Sequence, residues 1–201
     1  MPRSQSPPPK PPQSDGRVHR SVVTRRKIVS ALTALIYEGH LSPTAEQVAQ
    51  RADIGLRTVF RHFDDMDSLY REINNELENQ FQPMQSVRLL GKTWQDKLLH
   101  CIELRTAFYD QFAAIHLAGQ VHRHDSSYVT ENMVRAVTQQ RELLMKILPL
   151  NVRANVAVFE GLDLLISMDS WIRLRRDQGL SATQAHDVLK QSVKALIAGT
   201  P

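Results

Sequence analysis

A three-helix head followed by a longer helical body, all-α throughout, is what the sequence predicts, and three features carry the prediction. Apolar residues recur at i, i+3 and i+4 through most of the 201 residues. No stretch alternates apolar and polar residues in the manner of a strand. Between residues 44 and 63, two short amphipathic segments are separated by four residues, the spacing of two helices crossing at a steep angle.

Residues 1–16 hold six of the ten prolines, with serines and few apolar side chains, a composition that predicts a disordered tail. The first helix follows and runs to about residue 38. Ile28, Ala31, Leu32, Leu35 and Ile36 lie on its inner face, and Gly39 serves as its C-cap. Ser42 or Thr44 caps the second helix, whose Ala45, Val48 and Ala49 share one side. The connection from Ala52 to Gly55 is tight, and Gly55 supplies the conformational freedom expected there. A helix over 56–63 then turns Val59 and Phe63 back onto its predecessor. Asp65 or Asp67 caps a fourth helix that ends near residue 82, where Pro83 stops it. After a loop containing Gly91 come three long amphipathic segments, 94–119, 127–148 and 152–178. The last helix, capped by Ser181, runs to about residue 198. The head therefore spans 17–65 and the body 66–201, with no internal repeat.

Composition narrows the class. Apolar content is 42%, yet no apolar run approaches the ~20 residues of a membrane span, and no apolar h-region marks a secretory signal. The single cysteine, Cys101, precludes an intramolecular disulfide, so a reducing cytoplasm is expected. Charge is unevenly placed. Residues 17–63 carry eight Lys/Arg against three acids, a net of +5, whereas 64–201 carry fifteen against seventeen, a net of −2. A basic head on a mildly acidic body is the footprint of a head that meets a polyanion.

Helices as short as those at 44–51 and 56–63 are marginal alone and persist only when packed on a longer neighbour. The outward face of the second would then carry Arg57, Thr58, Arg61 and His62, side chains suited to phosphates and base edges. Arg17, His19, Arg20, Arg25 and Arg26 lead into the first helix, placed to reach a minor groove or flanking phosphates.

The run Arg26-Lys27-Ile28-Val29-Ser30-Ala31-Leu32, the segment TAEQVAQRADIGLRTVFRHF beginning at Thr44, and Leu69 resemble the N-terminal domain of TetR-type (tetracycline-repressor-like) bacterial transcriptional regulators. The stretch from Met168 to Arg175, MDSWIRLR, followed by Gly179-Leu180-Ser181, is similar to the last two helices of many members. The resemblance spans roughly residues 20 to 198, specific in the first third and generic in the middle. It implies a DNA-binding head, a linking fourth helix, and a body that dimerises and binds a small molecule. The implied function is a ligand-responsive regulator, a repressor by the family's commonest behaviour. It would bind a pseudo-palindromic double-stranded operator as a homodimer and leave it when an effector binds. Thr44, Thr58 and His62 match phosphate-contacting positions, and Leu56, Arg57 and Phe60 match positions that meet base edges. Arg25 and Arg61 belong to the same expected surface. The sequence departs from the family pattern where Gly55 replaces a frequent Ser cap, Phe60 a common Tyr and Met66 a frequent Lys. The implied dimer seam runs through Ala185, Val188, Leu189, Ser192 and Leu196, and through Val158, Leu162, Leu165 and Ile172.

In the body, Arg105 interrupts the apolar stripe Leu98, Cys101, Ile102, Phe108, Tyr109, Phe112, Ile115, and His116 ends that stripe. A guanidinium on an inner stripe needs a partner. Asp163 and Asp169, in the apolar sequence FEGLDLLISMDSW, are the candidates. Two readings stand open: an internal ion pair, or a polar anchor in an effector pocket lined by Phe108, Phe112, Met168 and Trp171. Cys101 reads as a buried structural thiol rather than a redox sensor. His122 and His124 sit in a turn without further ligands, so no metal is expected. No nucleophile elbow, phosphate loop or HExxH motif is present, so neither enzyme activity nor a cofactor is expected. The alternative function is a helical ligand- or protein-binding module whose DNA function has decayed.

Overall fold

The structure, a computed structural model, describes residues 14–85 and 87–199. Among them every regular element is helical. The head comprises α1 (Ser14–Tyr37), α2 (Ala45–Arg51) and α3 (Leu56–His62), and α4 (Met66–Gln85) leads away from it. The body comprises α5 (Trp94–His122), α6 (Ser127–Ile147), α7 (Leu150–Ala154), α8 (Val156–Leu165), α9 (Met168–Ile172) and α10 (Ala182–Ile197). Arg173–Asp177 continues α9 as one wide π-helical turn. No described helix is long and apolar enough to cross a membrane.

Polar side chains at helix starts set the boundaries. Asp65 accepts the Ser68 N–H at 2.7 Å and so starts α4, while Asp67 sits in the first turn and accepts from Arg71 and Ser126. Thr93 with Asp96, and Ser181 with Gln184, form reciprocal capping boxes at α5 and α10. Gly39 takes a φ of 98°, and the His40 N–H returns to the Leu35 carbonyl at 3.0 Å, closing α1 as expected. Gly91 is obligatory: its φ is 131°, and a Cβ there would lie 2.3 Å from the Asp96 Cβ.

Three expectations need correction. The segment 152–178 is not one helix. Asn155 and Ser167 each adopt extended backbone and accept an N–H from three residues onward, Val158 and Ser170 respectively, so the chain restarts twice. Pro83 does not stop α4, which ends two residues later at Gln85. Gly55, with a φ of −72°, does not supply the turn's left-handed residue; Asp53 does, with a φ of 50°. Of the expected tail, residues 1–13 lie outside the described residues, and Ser14 to Gly16 are already helical.

Two apolar cores result. The first joins α1 to α4 with the C-terminal half of α5 through Phe112, Ile115 and Ala118, and with Val129 of α6. The second joins Leu98, Cys101, Ile102 and Tyr109 of α5 with α6, α8, α9 and α10. Phe108 and Met168 touch both.

Candidate nucleic-acid interface and effector site

Why α2 and α3 form is local. The Thr44 hydroxyl accepts the Gln47 N–H at 3.3 Å, and the Gln47 amide oxygen accepts the Thr44 N–H at 2.8 Å. This capping box stabilises a seven-residue helix that could not persist alone. Gln47 was not singled out from the sequence, although T-x-x-Q is a legible signature. α3 starts at Gly55 with no side-chain cap, and only Val59 of it is fully buried. Leu56, Thr58 and His62 are half-buried, whereas Arg57, Phe60 and Arg61 are exposed. Arg57 and Arg61 carry no ion pair among the described residues, and the Phe60 ring is 47% exposed. Burial, with Arg61 and Arg25 beside it, lowers the His62 pKa, so its imidazole is neutral at pH 7.

Arg25, an expected DNA contact, has its partly exposed guanidinium engaged with other residues of the head. It donates to the His62 carbonyl at 2.7 Å, to both Glu72 carboxylate oxygens at 3.2 and 2.8 Å, and lies 4.2 Å over the Phe63 ring. One side chain thus fastens α1, the C-terminal end of α3 and α4 together. Glu72, the acid of this clamp, lies 47 residues away and was not legible in the sequence.

In the body the expected ligand residues form three groups rather than one pocket. Phe108 and Phe112, rings 4.4 Å apart, line an open groove of about 420 Å³ with His100, Glu103, Leu104, Ala107 and Gln111. His116 lies with Nε2 2.9 Å from the Asp169 carboxylate, which also accepts from Gln120 at 3.3 Å; the His116 hydrogen bond holds the Asp169 pKa below its ordinary value. Arg105 sits on the same stripe of α5, three and seven residues before Phe108 and Phe112, and is 3% exposed. Neither candidate acid pairs with it. Asp163 accepts from Gln140 at 2.8 Å and Arg141 at 3.0 Å, and Asp169 is taken as just described. Trp171 is buried with its indole N–H unpartnered, and Met168 is half-buried between the two cores. Cys101 is a buried thiol whose pKa burial pushes up. His122 is not a free turn residue: its ring stacks 4.3 Å from Tyr70.

No family model matches the sequence, and no curated protein does. Solved structures do. A TetR-family transcriptional regulator from Syntrophomonas wolfei superposes with a TM-score of 0.60 at 14% identity, covering 90% of this chain and 97% of its own. A transcriptional regulator from Pseudomonas aeruginosa PAO1 gives 0.57 at 14% identity, covering 91% and 92%. A TetR-family regulator from Haemophilus influenzae gives 0.54 at 15% identity, covering 88% and 97%. The fold is that of TetR-family transcriptional regulators.

Within this TetR-type fold the expected dimer seam divides. Ala185, Leu189, Val158 and Leu162 are buried in the second core of a single chain, where α10 packs on α5 and on α8, and Ile172 is buried as well. Gly161 permits that approach, since a Cβ there would lie 2.9 Å from the Leu196 Cδ2. The outward stripe keeps Val188 of the expected seam and adds Ala195 on α10, with Val156, Ala157 and Leu164 on α8. Leu164 is 68% exposed and Val156 71%.

Proposed function

We propose that this chain is a ligand-responsive, DNA-binding transcriptional regulator that acts as a homodimer. The observation that carries the reading is α3. It packs on α2 and is tied to α1 and α4 through the Arg25 clamp, yet leaves Arg57, Phe60 and Arg61 exposed, the two arginines with no ion pair among the described residues. Such a helix fits a major groove, with Arg57 positioned for a base edge and Thr44, Thr58, Arg61 and a neutral His62 for phosphates. Leu56 and Phe60 offer apolar contact to a thymine methyl. Two heads about 34–36 Å apart would read successive major grooves of a pseudo-palindrome. The outward stripes of α8 and α10 supply the surface that pairs two chains.

Repression follows if the operator overlaps a promoter, and release follows if an effector binds better to a state whose heads no longer match the half-sites. Selection of bound sequences from random duplex DNA tests the reading. The expected result is a two-fold-related pair of half-sites bound with steep salt dependence. Binding without sequence enrichment would instead support a helical module with no operator.

A further inference from the structure

We infer that Arg105 is the receptor for an anionic ligand, a monocarboxylate with an apolar body, seated between α5, α6 and α8. The inference rests on the effector reading above and gives that effector a chemical class. Arg105 is 3% exposed, and an arginine remains charged at any accessible pH. Its Nε and Nη1 make no hydrogen bond of good geometry, Nη2 reaches the Gln140 backbone carbonyl at 3.5 Å, and no carboxylate is paired with the guanidinium among the described residues. Beside it lie the Cys101 thiol and the Tyr109 hydroxyl. Burial raises the pKa of both and the guanidinium pulls each down, so both are neutral acceptors and neither is a counterion.

No ion pair joins Arg105 to an acid among the described residues, and several acids of the body are engaged with other groups. Asp163 and Glu160 hold Arg141, Asp169 meets His116 and Gln120, and Glu103 meets Lys190. A buried charge without a counterion is unfavourable, and methionine would fill the same volume without that penalty. What the guanidinium lacks is a planar oxyanion, which it is shaped to grip. The flanking residues of its stripe, Leu98, Cys101, Ile102 and Tyr109, belong to the apolar core, which favours a monoanion with an apolar body over a multiply charged one.

The site also has a route to the dimer face. Gln140, which accepts from Arg105 through its carbonyl, donates through its side chain to Asp163 on α8. The Tyr109 hydroxyl donates to the Ile166 carbonyl at 2.8 Å, at the end of α8 and just before the break capped by Ser167. A carboxylate taken by Arg105 competes with these contacts and moves the end of α8, whose outer face carries Leu164.

The test uses the full chain with sodium benzoate and sodium octanoate, and benzamide and octanamide as neutral controls. Denaturant unfolding and operator titration are read on the same samples. Without ligand, Arg105→Met should unfold at a higher denaturant concentration than wild type, because it removes an uncompensated charge. At least one carboxylate should raise the wild-type midpoint while its amide does not, and Arg105→Met should lose that response. Three results overturn the site: Arg105→Met less stable than wild type or unfolded, equal effects of acid and amide, or no wild-type response to either acid. If carboxylate binding holds while operator binding is absent, the regulator reading fails and the site stands. The converse result sinks the site alone.

Discussion

Arg25 offers the sharpest separation between a DNA contact and a structural clamp. Replacing it with methionine removes a two-pronged ion pair to Glu72, a hydrogen bond to the carbonyl that ends α3, and a cation–π contact with Phe63. The side chains of Arg25 and Glu72 are 39% and 32% exposed, so solvent screening limits the ion pair to ~1 kcal/mol. The carbonyl bond adds about 0.5–1.5 kcal/mol and the ring contact about 0.5–1 kcal/mol. Because one guanidinium makes all three, the loss on Arg25→Met should be about 2–3 kcal/mol by urea unfolding. In a double-mutant cycle with Glu72→Gln, the coupling should be ~1 kcal/mol.

The clamp also sets a pH dependence. The hydrogen bond from Arg25 is the largest influence on Glu72 and holds its pKa below the ordinary value. A depressed carboxylate contributes stability that is present above its unfolded pKa, ~4.3, and is lost as pH falls through the folded value. Glu72→Gln should therefore flatten the acid limb of the stability profile below about pH 4. On DNA, the clamp predicts weaker operator binding by Arg25→Met with an unchanged slope of log K against log salt. A slope reduced by about 1 with unaltered stability would refute the clamp and restore Arg25 as a phosphate contact.

The other predictions are simpler. Arg57→Ala should cost ~1–3 kcal/mol on the selected operator and relax preference at one base pair; preferences that survive intact would make Arg57 a phosphate contact. Leu164→Arg should yield folded monomers in sedimentation, whereas Leu189→Arg, which charges the core of one chain, should fail to fold. A dimeric Leu164→Arg would place the interface elsewhere. Ser167→Ala removes the α9 cap and should cost ~1 kcal/mol by urea unfolding; an unchanged midpoint would mean that packing of Trp171 alone sets the break.

Elements driven by local chemistry were legible in the sequence. Thr44, Gly39 and Ser181 end or begin helices through bonds that span five residues or fewer, and the inner face of α1 follows from its period. The break at 155 and 167 was not legible, because the same apolar pattern suits one helix or three. Only the choice of Asn155 and Ser167 side chains to bond backbone, rather than face solvent, decides it. Long-range pairing was hidden altogether. Arg105 was correctly placed inside, since its stripe is apolar, but its expected acids turned to Arg141 and His116, residues on no shared motif. On α8 and α10 the expected seam mixes buried and outward residues for a related reason: helical period finds an apolar stripe, and cannot say whether the same chain or a second one covers it.

A body ligand that alters the head needs a shared element, and α5 is one. Its 29 residues place Arg105 in the second core and Phe112, seven residues or ~10 Å along the axis, in the first. Phe108 sits between them, touching both cores and packed on Phe112, while Tyr37 at the end of α1 donates to the Gln111 carbonyl at 3.0 Å. A helix transmits displacement along its length without a chain of separate side-chain switches, provided that both cores have two arrangements to choose between. Under the regulator reading, then, Phe108 is the residue whose loss should cost coupling more than binding. Phe108→Leu keeps most of the volume and should change stability by less than about 1.5 kcal/mol. Carboxylate binding and operator binding should each persist, while the factor by which one weakens the other, typically 5–150-fold, should shrink towards one. That factor is measured by titrating operator at zero and saturating benzoate. Coupling left intact in the variant would show that the signal bypasses the seam, through α4 and its contact with α6.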